Sequence, residues 1–144
     1  MTVSAKARRL PLRLASGAFI LNAGLGKWSA TEETAARVHS MTAGAYPVFG
    51  KLTPRDFTRL LAAGEIALGV VLLAPVVPAA VAGAGLTAFS AALLGVYART
   101  PGMHRERSVR PTPLGTPLAK DVWLAAIGLG LIVDAATDRG CATR

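Results

Sequence analysis

The sequence predicts an all-α fold: one four-helix bundle of a polytopic membrane protein, with four transmembrane helices. Three observations predict it. Of the 144 residues, 52% are hydrophobic and only 17% are charged, and the mean hydropathy is +0.45. A soluble domain carries about 25% charge. From Ile66 to Ala98 the chain runs 33 residues without a charge. As one helix this would be about 50 Å long at about 1.5 Å per residue, against a hydrocarbon core about 30 Å thick. Finally, Pro75 and Pro78 in APVVPA interrupt that run, and proline does not continue a helix. The run therefore divides into two spans joined by a tight hairpin.

The first span covers about 11–29, PLRLASGAFILNAGLGKWS. Its uncharged part, Leu14 to Gly26, is only 13 residues long, so Arg13 and Lys27 are expected to snorkel to the two interfaces. A rival reading takes Lys6, Arg8 and Arg9 with the following apolar run as a cleaved signal peptide, with WSA as the cleavage site. Arg13, deep in that apolar run, and the three later spans argue against it. The loop 30–56 follows. In it Thr31 is expected to cap a short amphipathic helix starting before Arg37, and TPRDF is a second helix start with Thr53 as cap and Pro54 in the first turn.

The second span covers 57–75 and the third 79–98. The loop 99–117, RTPGMHRERSVRPTPLGTP, is rich in Pro, Gly and Arg and reads as an irregular basic loop at the headgroups. The fourth span covers 118–136. Trp28, Tyr97 and Trp123 fall near span ends, where aromatic rings favour the interface. Close helix approach in lipid needs small residues. The first span offers Gly17 and Gly24 on the face of Arg13, Ile20 and Lys27; the third offers Gly83, Thr87, Ser90, Leu94 and Tyr97; the fourth offers Gly128 and Gly130.

The sixteen Lys and Arg against eight Asp and Glu give a net charge of +8. The cations lie outside the apolar runs and no groove-reading motif is present, so a nucleic-acid partner is not expected. Four spans place both termini on one side and the two long loops on the other. Lys6, Arg8, Arg9, Arg13, Arg139 and Arg144 fall on the terminal side, and the ten remaining cations on the loop side. The positive-inside rule then puts the loops in the cytoplasm, a multi-pass placement in the cell membrane, although the basic N-terminus pulls the other way.

The lone Cys141 gives neither a disulfide framework nor a dithiol exchange site. His39 and His104 both lie in loops, so no bis-histidine haem site forms between spans, and no His, Cys and carboxylate set has zinc or di-iron spacing. The two histidines share a side, leaving open a shared metal or pocket beside two solvated rings. What remains is intramembrane charge. Glu65 lies eight residues into the second span, about 12 Å along its axis, where a carboxylate needs an interior partner. Lys27 and Lys120 are the candidate partners, with Asn22 one turn below Lys27, Asp121 beside Lys120, and Asp134 closing the fourth span. The candidate polar cluster is thus Glu65, Lys27, Lys120, Asp121, Asn22 and Arg13. It is either a polar or proton-linked site or an ion-paired lock on helix register.

These residues also carry a family likeness. The Arg13-Leu14 start, FILNAGLGKW (Phe19 to Trp28), GEIALGVVLL (Gly64 to Leu73) and KDVWLAAIGLGL (Lys120 to Leu131) resemble, in that order, the motifs of the DoxX family. The long basic loop resembles the actinobacterial type. The resemblance covers about 10–136. It implies a single four-helix domain over 1–144, no cofactor of its own, a quinone reached through a partner, and a non-catalytic accessory or anchoring role in a membrane oxidoreductase system. Arg13, Lys27, Glu65, Lys120 and Asp121 match family positions without a catalytic role. The alternatives are a small transporter or exporter, prompted by Glu65 among cations, and a purely structural membrane protein. Besides the bilayer and an oxidoreductase, the small-residue faces also suit a homo-oligomer.

Overall fold

The computed structural model describes residues 4–142, with side chains to 138. Arg144 and the side chains of Arg139 and Cys141 lie outside the described residues. The chain is all-helical: 79% is helix and no strand occurs among the described residues. Four long helices account for most of it. They are α1 (Ala5–Trp28), α3 (Pro54–Leu73), α4 (Ala79–Arg99) and α6 (Asp121–Ala142). A shorter α2 (Glu32–Ala45) and a 3-10 turn (Pro47–Lys51) fill the first loop, and the four-residue α5 (Thr116–Ala119) precedes α6.

The helix starts follow local chemistry. Ser4 caps α1, six residues before the expected start, and Pro11 is accommodated inside the helix. Thr31 caps α2 by accepting from the Thr34 amide, and Thr53 caps α3 by accepting from the Asp56 amide. Each side-chain oxygen satisfies a first-turn amide that has no helical acceptor. The expected short helix after Thr31 extends to Ala45. The basic loop before α5 is irregular but closed on itself: Thr112 donates to the Gly102 carbonyl at 2.6 Å, and Met103 is buried beneath it.

The long helices alternate in direction, so that both ends of the described chain meet the 74–78 hairpin at one end of the bundle. α1 packs along α3, and α4 along α6; the two pairs touch more sparingly through α1 with α6 and α3 with α4. Every long helix contributes to the centre: Ile20, Leu72, Leu131 and, from α4, both Ala82 and Leu86 are at most 2% exposed. Glycines set the close crossings. A Cβ on Gly69 would stand 2.8 Å from the Leu21 backbone, and one on Gly83 would stand 2.6 Å from the Gly128 carbonyl oxygen. Gly128 faces inward as expected, but Gly130 meets nothing and faces out, because residues two apart on a helix lie about 200° around it.

Many large apolar side chains lie outside the core. Phe19, Leu25, Leu60, Val81, Trp123, Leu129 and Val133 are all more than half exposed. Trp28 is exposed near the end of α1, as expected of an interfacial ring. Tyr97 instead follows its place on the inward face with Gly83 and Ser90: it is buried, and its hydroxyl donates to the Val109 carbonyl at 2.8 Å, fastening the basic loop to α4. By length and composition one helix, Ala79–Arg99, is apolar enough to cross a membrane. The other long helices carry charge within their length: Arg13 and Lys27 in α1, Arg55, Asp56, Arg59 and Glu65 in α3, and Asp121, Asp134 and Asp138 in α6.

The glycine contacts predict a position-specific effect. Gly83→Leu overpacks the α4–α6 crossing and should cost about 1–3 kcal/mol, lowering the thermal midpoint in mild detergent by several degrees. Gly130→Leu, on the open face, should leave it within about a degree. Side-by-side melts of the two variants check this.

Candidate functional site

One face of α1 carries two cations nearly four turns apart, and each meets a different part of α3. At the loop end, Lys27 Nζ donates to both Glu65 oxygens at 2.9 Å. Glu65 is 4% exposed. Gly24, one turn before Lys27, lets α3 come close enough for this: a Cβ there would stand 2.9 Å from the Glu65 Cβ and from the Ala62 carbonyl oxygen. Asp121, the first residue of α6, is also buried and lies within electrostatic reach of both Lys27 and Glu65. It accepts no side-chain hydrogen bond among the described residues. The Lys27 ammonium is bonded to Glu65, and a second buried carboxylate, from a different helix, lies near the pair.

At the other end, Arg13 is buried rather than snorkelling to the interface. Its Nε donates to the Leu72 carbonyl at 2.7 Å, Nη2 to Val71 at 2.9 Å and Ala74 at 2.6 Å, and Nη1 to Val77 at 2.9 Å. The last carbonyls of a helix have no amide partner and carry partial negative charge. A guanidinium, with five donors in a planar fork, satisfies several of them at once. Arg13 thus closes the α3 C-terminus and the 74–78 hairpin, and it stands apart from Glu65.

Two more expected members are elsewhere. Asn22 is exposed on α1, with no hydrogen bond to the Lys27–Glu65 pair, because it points away from the Gly17–Gly24 face. Lys120 is exposed, makes no ion pair among the described residues, and lines a shallow apolar cleft with Tyr97 and Trp123. Its neighbour Asp121 faces inward instead, since adjacent helical residues diverge by about 100°. Asp134 does not end its span alone: it binds Arg8 and Arg9, which also reach Asp138. This four-residue network ties the start of α1 to α6, and the two carboxylates raise the Arg8 guanidinium above its ordinary value.

The two loop histidines do not share a pocket. His39 Nε2 lies 3.0 Å from the Phe49 carbonyl oxygen and its ring packs on Phe57. His104 packs on Tyr97. No group of three or more His, Cys, Asp or Glu among the described residues could hold a metal ion.

A cavity of about 670 Å³ opens beside Lys27, between the end of α1 and the starts of α2 and α3. Arg55, Thr58, Arg59 and Glu32 are on its wall. Sequence reasoning took Arg55 and Arg59 only as loop-side charge. Their four-residue spacing in TPRDFTRL was the available signal, since it puts both on one helix face. Comparison with known protein families, curated proteins and solved structures finds no match for this chain.

The charge balance predicts unequal effects at the pair. Lys27→Met leaves two buried carboxylates without a cation and should cost about 3–5 kcal/mol. Glu65→Leu should cost less, because the Lys27 side chain is 27% exposed and its ammonium can still be hydrated. The double variant should be more stable than Lys27→Met alone, as read by denaturant unfolding in mixed micelles. At the other end, Arg13→Leu strands the Val71, Leu72 and Val77 carbonyls, while that of Ala74 keeps the Val77 amide, and amide exchange should accelerate selectively around 71–78; Arg13→Lys, with three donors, should be intermediate.

Proposed function

We propose that this chain is an integral membrane protein that crosses the bilayer four times, through α1, α3, α4 and α6. In this reading it serves as a non-catalytic accessory subunit or anchor of a membrane redox system. The observation that carries the membrane reading is the inverted placement of polarity. Arg13, Glu65, Asp121, Ser16 and Ser90 are buried between helices, while Phe19, Leu25, Val70, Leu129 and Val133 are exposed. Without a membrane, that exterior would expose apolar surface to water on every long helix. In lipid it is the favourable arrangement, and charged groups turn inward to partners. The charges that keep α1, α3 and α6 from reading as simple spans are for the most part those engaged inside the bundle or at its ends.

The accessory role rests on the DoxX likeness of FILNAGLGKW, GEIALGVVLL and KDVWLAAIGLGL. The residues in those strings are used to hold helices together: Lys27 binds Glu65, and Gly24 and Gly69 make the α1–α3 contact. Such a bundle supplies a rigid membrane platform on which an oxidoreductase or a quinone-handling partner docks. The charge count favours a cytoplasmic position for the loops 30–56 and 99–117.

The cavity beside Lys27 favours a second reading, transport of an anionic molecule. It lies at the loop end, however, and Ile20, Leu72, Leu86 and Leu131 fill the bundle centre. Passage would require the helices to part.

Two measurements test these readings. Val76 and Val109 are 88% and 89% exposed at opposite ends of the bundle. In a Cys141→Ser background, Val76→Cys and Val109→Cys should react with an impermeant maleimide from opposite sides of sealed vesicles, Val109→Cys from the cytoplasmic side. Labelling of both from one side would end the four-span reading. Mild-detergent purification of the tagged chain from its own host should recover a stoichiometric oxidoreductase, with a flavin or haem absorption travelling in the same fraction. A colourless chain without a partner would end the accessory reading.

A further inference from the structure

We propose that the cavity between the end of α1 and the starts of α2 and α3 binds a phosphate group, carried by an anionic lipid headgroup or by a soluble phosphate ester. This goes beyond the accessory role: the site needs no redox partner, and only its lipid source depends on the membrane reading.

The cations come first. Arg55 and Arg59 line the cavity one turn apart on α3, both exposed, and neither makes an ion pair among the described residues. Guanidinium forks match phosphate oxygens in geometry and charge. Two helices of 14 and 20 residues also begin on this wall. Thr31 and Thr53 cap them, each taking one first-turn amide. The amides of Glu32, Glu33 and Arg55 then have no acceptor inside their helices, and a helix start favours an anion.

Thr58 is the independent observation that points to a ligand. It is 3% exposed, lies on the cavity wall, and its hydroxyl has no hydrogen-bond partner. Elsewhere in the described helices Ser16, Thr42, Thr87 and Ser90 each donate to the carbonyl four residues back. Thr58 has the same option toward Pro54 and does not use it. A buried hydroxyl without an acceptor is destabilising, and a phosphate oxygen in the cavity supplies one once the Thr58 side chain rotates toward it. Lys27 at the inner edge is already matched by Glu65. The remaining wall charge is Arg55 and Arg59 against Glu32, a net of one positive charge. That suits a single phosphate, with Glu32 accepting from a neighbouring hydroxyl of the ligand.

The test uses the full chain in detergent, titrated with inorganic phosphate and with glycerol 3-phosphate by calorimetry. In parallel, native mass spectrometry follows retention of phosphatidylglycerol against phosphatidylcholine. Glycerol 3-phosphate should bind saturably. The double variant R55Q/R59Q should lose at least about tenfold in affinity, the scale of losing a charge-assisted hydrogen bond. R107Q/R110Q, which removes equal charge from the other loop, should stay within about twofold. Thr58→Val should weaken binding about threefold or more without lowering the melt, and Arg59→Lys should be intermediate. Selective retention of phosphatidylglycerol that displaces glycerol 3-phosphate assigns the site to lipid; undisturbed glycerol 3-phosphate binding in its presence assigns it to a soluble ester. The proposal is overturned by absence of saturable binding of all these probes, by equal losses in the two double variants, or by wild-type affinity in Thr58→Val.

Discussion

The bundle depends on one constraint: α1 and α3 are pinned at both ends by two cations on a single face of α1. Arg13 and Lys27 are 14 residues apart, about 21 Å along the helix, and so return to nearly the same side. Arg13 grips the α3 C-terminus and the hairpin beyond it, while Lys27 grips Glu65 near the opposite end. With both contacts made, neither rotation nor sliding of α3 is free. Gly17, Gly24 and Gly69 then sit where the two backbones approach most closely. The hairpin position in turn fixes where α4 starts, and α4 carries α6 through the Gly83–Gly128 contact.

Charge in this molecule is therefore mostly structural in its effect, and it is graded by depth. At the end shared by the α1 start and the hairpin, Arg8 and Arg9 meet Asp134 and Asp138 in a partly exposed network. Exposed pairs of this kind contribute little each, but they join the two ends of the described chain. Glu65 and Asp121 are buried beside the partly exposed Lys27, and there the energetic stake is the penalty for leaving a charge alone rather than the attraction itself. The loop end is different again. Among the described residues Arg55 and Arg59 make no ion pair, and they stand beside a cavity and an unsatisfied Thr58 hydroxyl, so this is where charge remains available to a ligand.

Much of this was legible in the sequence, and the reason is periodicity and punctuation. The helices near 57–75 and 79–98 and the turn at Pro75 and Pro78 follow from an uncharged run longer than one helix needs. The stripe Arg13, Gly17, Ile20, Gly24 and Lys27 follows from three- and four-residue steps, and it is the face that meets α3. Glu65 stood out because an isolated carboxylate in an apolar helix needs a partner. The choice among its partners did not follow. Lys27 and Lys120 were equally placed by sequence, and the turn between α5 and α6 left Lys120 outward while Asp121, the first residue of α6, faces inward. Asn22 misled for a related reason, since residue type suggests a role while the helix phase decides which way the side chain points; for Tyr97 the phase, shared with Gly83 and Ser90, was the better guide than its residue type.

By itself, then, the sequence determined an all-helical chain, the helix-breaking hairpin, the capping residues Thr31 and Thr53, and the need for buried charge to be neutralised. These are local or compositional properties, read from spacing along one helix. Tertiary structure alone decided that Arg13 binds backbone carbonyls, since no sequence pattern records which carbonyls a distant turn leaves open. It also decided the cavity at Arg55, Thr58 and Arg59, which exists only because the first loop folds α2 back over the start of α3. Both are products of how helices far apart in sequence are held, and the two cations on α1 do the holding.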